Sequence, residues 1–398
     1  MIESYTDLLL SRRYAMTALL MLVVWAVRLV VLTGLISGLL VRCTIWLSHH
    51  YDVMARPSDR GSHTVPTPRL GGIGSAAAVF ISVFLMAWWG ISPPLQPWML
   101  VFLIGGAWAL IGGALDDFQE LGPRWKLLVQ IAACWSCFMF VFAPTTFDLP
   151  FAPGIVIPQA AGVIVAVLVT FFMMNIFNFM DGMDGQAAVF GIVTAFGLAL
   201  HLGNHGFSLG FGLRWHSMYL AGMAAVVAGS LIGLLAYNFP GRSIRTKTFM
   251  GDCGSQYYGF VLSAIALQAG EGPPQERFPW IASFILFSPF IYDVCFTLIR
   301  RWRRGDRLTQ AHRTHLYQRL MVAGWTHGET LRLNLVLYVI MLLLSWGYAA
   351  AAMHGFVQVL ILILSAGVLA SYTLFVMSIE RQAESRRISL ENSRDSSS

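Results

Sequence analysis

Five aspartates stand in short polar breaks between long apolar runs, and each break carries residue types suited to phosphate chemistry. Asp116 and Asp117 are adjacent and follow Gly112-Gly113-Ala114-Leu115. Neighbouring carboxylates repel and resist joint desolvation, so a cation belongs beside them; Arg124 and Lys126 follow within the next turns of chain. Such a pair suits a metal-assisted site in which one carboxylate acts as base or organises water or phosphate. It suits equally the solvated opening of a loop. Asn175, Asn178 and Asp181 are spaced by three and share one face of a helix end. Asp184 follows, with Gly182 and Gly185 releasing the backbone into a turn or a close approach to ligand. Polar groups at that spacing, directly after the apolar run 158–174, are hard to explain as packing; capping or helix–helix hydrogen bonding is the competing role.

Phe249-Met250-Gly251-Asp252-Cys253-Gly254-Ser255 opens another apolar run. A helix N-terminus built of small residues offers free N–H groups and a positive dipole end to phosphate, and a carboxylate there suits Mg²⁺ bridging that phosphate. The plain alternative is an N-cap. Arg242, Arg245 and Lys247 add positive charge upstream. The longest polar loop holds His312-Arg313-Thr314-His315. No third metal ligand is signalled there, and contacts to phosphate or sugar hydroxyls fit the cationic surroundings better than zinc. Asp293 lies inside an apolar segment, where an ionisable group needs a partner or a task.

The elements that must position these groups are membrane helices. Of 398 residues 57% are apolar and 12% charged, with mean hydropathy +0.65, far from the balance of a soluble globular chain. Eleven apolar runs are long enough to cross a bilayer, over about 24–47, 72–90, 98–115, 127–143, 158–175, 187–202, 218–237, 255–270, 279–299, 332–350 and 356–378. Arg28 interrupts the first, which starts either before or after it. If the segments alternate, all the aspartate-bearing breaks share one side. That side takes nearly all of the 26 positive residues, Arg28 being unassigned; the other keeps only Arg12, Arg13, Arg214 and Arg277. The skew marks the aspartate side as cytoplasmic. Positive charge confined to short loops speaks for lipid and phosphate partners, not nucleic acid. Arg300-Arg301-Trp302-Arg303-Arg304 reads as a headgroup anchor. Cys134 and Cys137 form a C-x-x-C inside an apolar run and read as inert. The chain reads as all-α: residues 1–23 an interfacial or extracytoplasmic segment, 24–378 one polytopic bundle of ten or eleven spans with cytoplasmic active-site loops, and 379–398 a disordered cytoplasmic tail. Clustering of acids at one interface disfavours a transporter or lipid flippase, whose polar groups belong near the midplane. No H-E-x-x-H supports a metalloprotease.

In order along residues 48–320 stand H-x-x-P-T-P-R-x-G-G (63–72), the Asp116-Asp117 pair, N-x-x-N-x-x-D-G-x-D-G (175–185), F-M-G-D-x-G-S (249–255) and a histidine-bearing loop. This arrangement resembles the polyprenyl-phosphate N-acetylhexosamine-1-phosphate transferase superfamily. The resemblance implies transfer of a sugar phosphate from a UDP-N-acetylhexosamine to undecaprenyl phosphate in the bacterial inner membrane. Mg²⁺, with Mn²⁺ as a substitute, would sit on Asp252 with help from Asn178. Phe249 would stack on uracil, and Asn175, Asp181, Asp184, Asn238, His312, Arg313 and His315 would surround the nucleotide sugar. Asp116, Asp117 and Lys126 would serve catalysis and the acceptor phosphate, and Asp293 matches a family aspartate on a bent ninth helix. A homodimer is compatible with all of this. The H-R-T-H loop lacks the three-histidine run of the peptidoglycan translocase and looks closer to the O-antigen-initiating branch. Arg60-Gly-Ser-His63 stands where the family frequently has Arg-Lys before the histidine.

Overall fold

The computed structural model describes residues 2–56, 65–88, 99, 101–119, 121–140, 145–207, 215–243, 246–271, 277–307, 312–351 and 354–395, without the side chains of 2–19, 21, 22, 101, 123, 136, 137, 139, 140, 153, 204–207, 215, 394 and 395. His63 and Arg60 of the first loop, Arg245 and the Cys137 side chain lie outside what it describes.

Long apolar runs make helices because only a helix satisfies every backbone N–H and C=O within itself when no water is present. The helices are α1 (Ile2–His50), α2 (Gly71–Trp88), α3 (Gly106–Gln119, entered through a π-turn at Val101–Gly105), α4 (Pro123–Phe140), α5 (Gln159–Met180), α6 (Gln186–Phe207), α7 (Trp215–Asn238), α8 (Gly251–Ala269), α9 (Trp280–Arg303), the short α10 (Leu316–Val322), α11 (His327–Ala350) and α12 (Gly355–Asp395). Ten of them, with the π-turn segment leading into α3 as the eleventh, coincide with the eleven expected spans, and α10 lies in the long loop. Two antiparallel strand pairs complete the described elements, β1 (Met54–Ala55) with β2 (Thr67–Pro68), and β3 (Thr146–Leu149) with β4 (Ala152–Val156). Among the described residues eight helices are long and apolar enough to span a membrane by themselves; α3, α4 and α8 are not in that set.

The exception of α8 has a physical reason. Every residue from Cys253 to Ala269 is buried, against α2, α3, α5, α6, α7 and α9. It is the axis of the bundle, touching protein on all sides, so Ser255, Gln256, Ser263 and Gln268 need no exclusion from lipid. Small residues let its neighbours approach: a side chain at Gly72 of α2 would run into Met250 O and the backbone of Gly254, and one at Gly113 of α3 into Asp252 and Cys253. α9 carries Pro289 in its interior; the ring removes a donor, and Ser288 Oγ donates instead to Ile285 O at 2.6 Å, the carbonyl that Pro289 leaves free.

Helix ends differ from the sequence expectation at three places. α3 runs through Gln119 and α4 starts at Pro123, so Asp116, Asp117 and Lys126 are helical and not in a loop. α1 is continuous from Ile2 past Arg28, so the helix begins well ahead of the span expected from residue 24 and takes in residues 2–23, expected as an interfacial or extracytoplasmic segment. α12 continues to Asp395, where a disordered tail was expected; Arg319 pairs with Glu380, and Arg387 with Glu391 one turn on at 3.0 Å, giving that polar end local support.

Gly72→Val should test the close packing of α2 on α8. The obstacle is rigid backbone, so a loss of about 2–3 kcal/mol is expected from overpacking, read as a lower midpoint of thermal unfolding in detergent; an unchanged midpoint would show that the two helices do not meet there.

Candidate active site

The expected convergence is present. The starts of α2, α4, α6, α8 and α11 and the ends of α3, α5, α7 and α9 meet at one end of the bundle, around a cavity of about 780 Å³. Asn178, Asp181, Asp184, Asn238, Phe249, Asp252 and Arg313 line it, with Arg69, Gln318, Trp325 and His327.

The N-terminus of α8 is the best-anchored part. Asp117 is buried and its two carboxylate oxygens accept from α8: Oδ1 from Asp252 N and Oδ2 from Cys253 N, each at 3.0 Å. Arg69 Nη donates to the same Oδ1 at 2.6 Å. The carboxylate thus satisfies N–H groups that a helix start leaves unpaired and neutralises the positive dipole end. Arg69 arrives there because its loop is zipped to the segment leading into α8. Pro68 O accepts from Phe249 N at 2.8 Å and from Thr248 Oγ1 at 3.0 Å, and Gly72 N donates to Met250 O at 2.9 Å. The T-P-R-x-G-G stretch is therefore a brace for the F-M-G-D segment.

Asp116, one residue away, faces another partner. Lys126 Nζ donates to Asp116 Oδ2 at 2.5 Å and to Asp252 Oδ2 at 3.0 Å, tying α3, α4 and α8 together. Asn178 Nδ2 donates to Asp252 Oδ1 at 2.6 Å and to Ser255 Oγ at 3.1 Å. Asp252, a third exposed, is the charged group of this set that opens into the cavity.

Farther along, Asp184 accepts from Lys247 at 2.6 Å and sits 3.1 Å from His327 Nδ1. Burial alone would raise its carboxyl; hydrogen bonds from His327 and Lys247 and the lysine charge overcome that and hold it below the usual carboxylate value. Lys247 also stands 5.4 Å above the Phe249 ring. Asn238 spans two loops, accepting from Gly185 N at 2.8 Å and donating to Thr248 O at 2.9 Å. Asp181 is different. Desolvation, then the charges of Asp252, Asp117 and Asp184, push its carboxyl well above the ordinary value, so its protonated form is favoured.

Three residues expected around the nucleotide sugar are placed elsewhere. Asn175 lies one turn deeper and donates to Gln130 Oε1 and Phe171 O, a tie between α4 and α5. His315 is buried under α10, its Nδ1 3.0 Å from Asp293 Oδ1; Asp293 also accepts from Leu316 N at 3.0 Å. Asp293 thus fixes the loop instead of standing in the cavity. His312 contacts Thr314 and His315; burial, then repulsion from His315 and Arg301, lowers its ring to about 4, so it is neutral at neutral pH. Only Arg313 of that motif reaches the cavity. The cavity wall at Trp325 and His327 was not legible beforehand; its one local signal is the capping box Thr326–Glu329 that starts α11.

A divalent cation was expected on Asp252 and Asn178. Among the described residues no three His, Cys, Asp or Glu side chains group as a ready-made metal cage. The donors present fit a hard cation that takes one or two protein oxygens and completes its shell from substrate phosphates, the habit of Mg²⁺.

A membrane helix bundle with carboxylates, lysine and amides gathered at one interface around an open cavity defines a membrane-embedded phosphoryl-transfer site. Residues 99–270 match the family described as Glycosyl transferase family 4. The chain is 29% identical over 327 residues to the decaprenyl-phosphate N-acetylglucosaminephosphotransferase of Mycobacterium leprae, covering 76% of this chain and 78% of that one. It is 28% identical over 331 residues to the enzyme of the same name in Mycolicibacterium smegmatis, covering 76% of each. With the undecaprenyl-phosphate alpha-N-acetylglucosaminyl 1-phosphate transferase of Yersinia pestis it shares 27% over 276 residues, 69% of this chain and 71% of that one. These matches support a place in the polyprenyl-phosphate N-acetylhexosamine-1-phosphate transferase superfamily, and the apolar helices mark a multi-pass membrane protein.

Asp181 generates a pH prediction. Its folded-state value is raised, so its protonated form is favoured by folding and the penalty for ionising it grows as pH rises past the unfolded carboxylate value of about 4. Asp181→Asn, which mimics the protonated acid, should unfold about 2 °C higher than wild type at pH 8 and show no gain at pH 4. A gain independent of pH would contradict the assignment.

Proposed function

We propose that this chain transfers N-acetylhexosamine-1-phosphate from a UDP-sugar to undecaprenyl phosphate, releasing UMP and leaving undecaprenyl-pyrophosphoryl-sugar. In this reading it acts in the bacterial inner membrane with its site toward the cytoplasm, and starts a cell-surface polysaccharide such as O-antigen. The observation that carries the proposal is the joint at Asp252, where Lys126 and Asn178 from two other helices hold one carboxylate at the cavity edge while Lys126 also holds Asp116.

An oxygen of the acceptor phosphate attacks the β-phosphorus of the donor, and the bond from that phosphorus to the bridging oxygen breaks, so UMP leaves with the electron pair. Both reactants are anions, so the work of the site is to cancel repulsion and align them. Mg²⁺ held by Asp252 beside Asn178 would supply charge cancellation at the pyrophosphate. Lys126 would neutralise the acceptor phosphate beside Asp116. Phe249 offers a ring face to uracil, stiffened from one side by Lys247 and Asp184, and Arg313 reaches the cavity from the α10 loop to meet phosphate or sugar. An acceptor phosphate is ionised at neutral pH, so no strong base is required. Asp117, with both oxygens on α8, positions Asp252.

The purified protein with undecaprenyl phosphate and a panel of UDP-N-acetylhexosamines, UDP-N-acetylglucosamine first, should release UMP only with a divalent cation; no release from any donor would reject the proposal. Asp252→Asn and Lys126→Met should each lower kcat by about a hundredfold or more. Phe249→Ala should raise KM for the UDP-sugar about tenfold with a smaller change in kcat, as expected for loss of base stacking.

A further inference from the structure

Both oxygens of Asp252 are engaged, Oδ1 by Asn178 at 2.6 Å and Oδ2 by Lys126 at 3.0 Å. The same ammonium holds Asp116 Oδ2 at 2.5 Å. A divalent cation coordinated by Asp252 would meet that ammonium at a distance where like charges repel strongly in a partly desolvated site. We infer that Lys126 and the divalent cation are alternative occupants of Asp252 Oδ2, so that loading the metal drives the ammonium wholly onto the Asp116 side. The inference rests on the metal reading given above.

Lys126 has its second anchor already in place, so displacement strands no buried charge. Asn178 keeps Oδ1, so the carboxylate stays oriented while Oδ2 changes partner. The residue type is also telling. Of the 26 cationic residues only Lys126 and Lys247 are lysines, and both bind site aspartates. A lysine ammonium is a compact point charge that moves between oxygens, whereas an arginine fork would lock onto one carboxylate. Lys126 therefore couples the two halves of the reaction: it keeps Asp252 neutralised beforehand, and it is delivered toward the acceptor when the donor's cation arrives.

Because the chain has two lysines, full-length protein labelled with ¹³Cε-lysine gives two side-chain signals, assigned with Lys247→Met. Titrating Mg²⁺ into the wild type in detergent micelles should shift the Lys126 signal and leave the Lys247 signal in place. Mn²⁺ affinity, read by electron paramagnetic resonance without nucleotide or lipid, should tighten about tenfold or more in Lys126→Met and be lost in Asp252→Asn. A stationary Lys126 signal during Asp252-dependent binding, or unchanged or weaker Mn²⁺ affinity in Lys126→Met, overturns the exchange. Mn²⁺ affinity indifferent to Asp252→Asn, or no binding at all, removes instead the metal reading beneath it.

Discussion

The start of α8 holds the site together. A helix beginning inside a protein leaves several N–H groups without partners and a concentration of positive dipole, and both must be answered where they stand. Here the answer is a carboxylate from a different helix, Asp117 of α3, accepting from Asp252 N and Cys253 N and itself paired with Arg69. That arrangement requires α3 and α2 to lie almost against the α8 backbone, which is why glycines stand at 72 and 113. Once α8 is fixed in this way, the next carboxylate on it, Asp252, points to the cavity edge without freedom to retreat.

The site's carboxylates are then told apart by their partners. Asp117 and Asp293 accept from backbone N–H groups at helix starts and organise structure. Asp184 is clamped by Lys247 and His327 and steadies the Phe249 corner. Asp116 and Asp252 share the Lys126 ammonium. Asp181 is desolvated and faces three like charges, which favour its protonated form. Residues of one type thus carry different duties, because each duty is set by what lies within hydrogen-bonding distance.

The cavity is built from two kinds of chain. Its floor, from α3 to α8, falls within the stretch that matches Glycosyl transferase family 4. The opposite wall, with Arg313, Gln318, Trp325 and His327, comes from the α9–α11 region beyond that stretch. Asp293 fastens this wall by holding the start of α10 and the His315 ring.

Hydropathy and spacing are local properties, and what depends on them was legible in the sequence: an all-helical membrane bundle, its spans to within a turn or so, and the placing of the aspartates at one end. The resemblance to a transferase family rests on motif order, which is local for the same reason. Three helix ends lie beyond the apolar runs, since the last turns of α3 and α12 and the first turns of α1 are polar or interrupted, and a hydropathy criterion stops where lipid stops, not where the helix does. Nothing local said that Asp117 would cap α8 while Asp116 met Lys126, that Asn175 would face Gln130, or that His327 would reach Asp184. Lys126 and Asp252 are 126 residues apart, and Asp117 and Cys253 are 136. Which oxygen takes which donor depends on how closely helices remote in sequence approach and how each is rotated about its axis, and those quantities exist only once the bundle has packed.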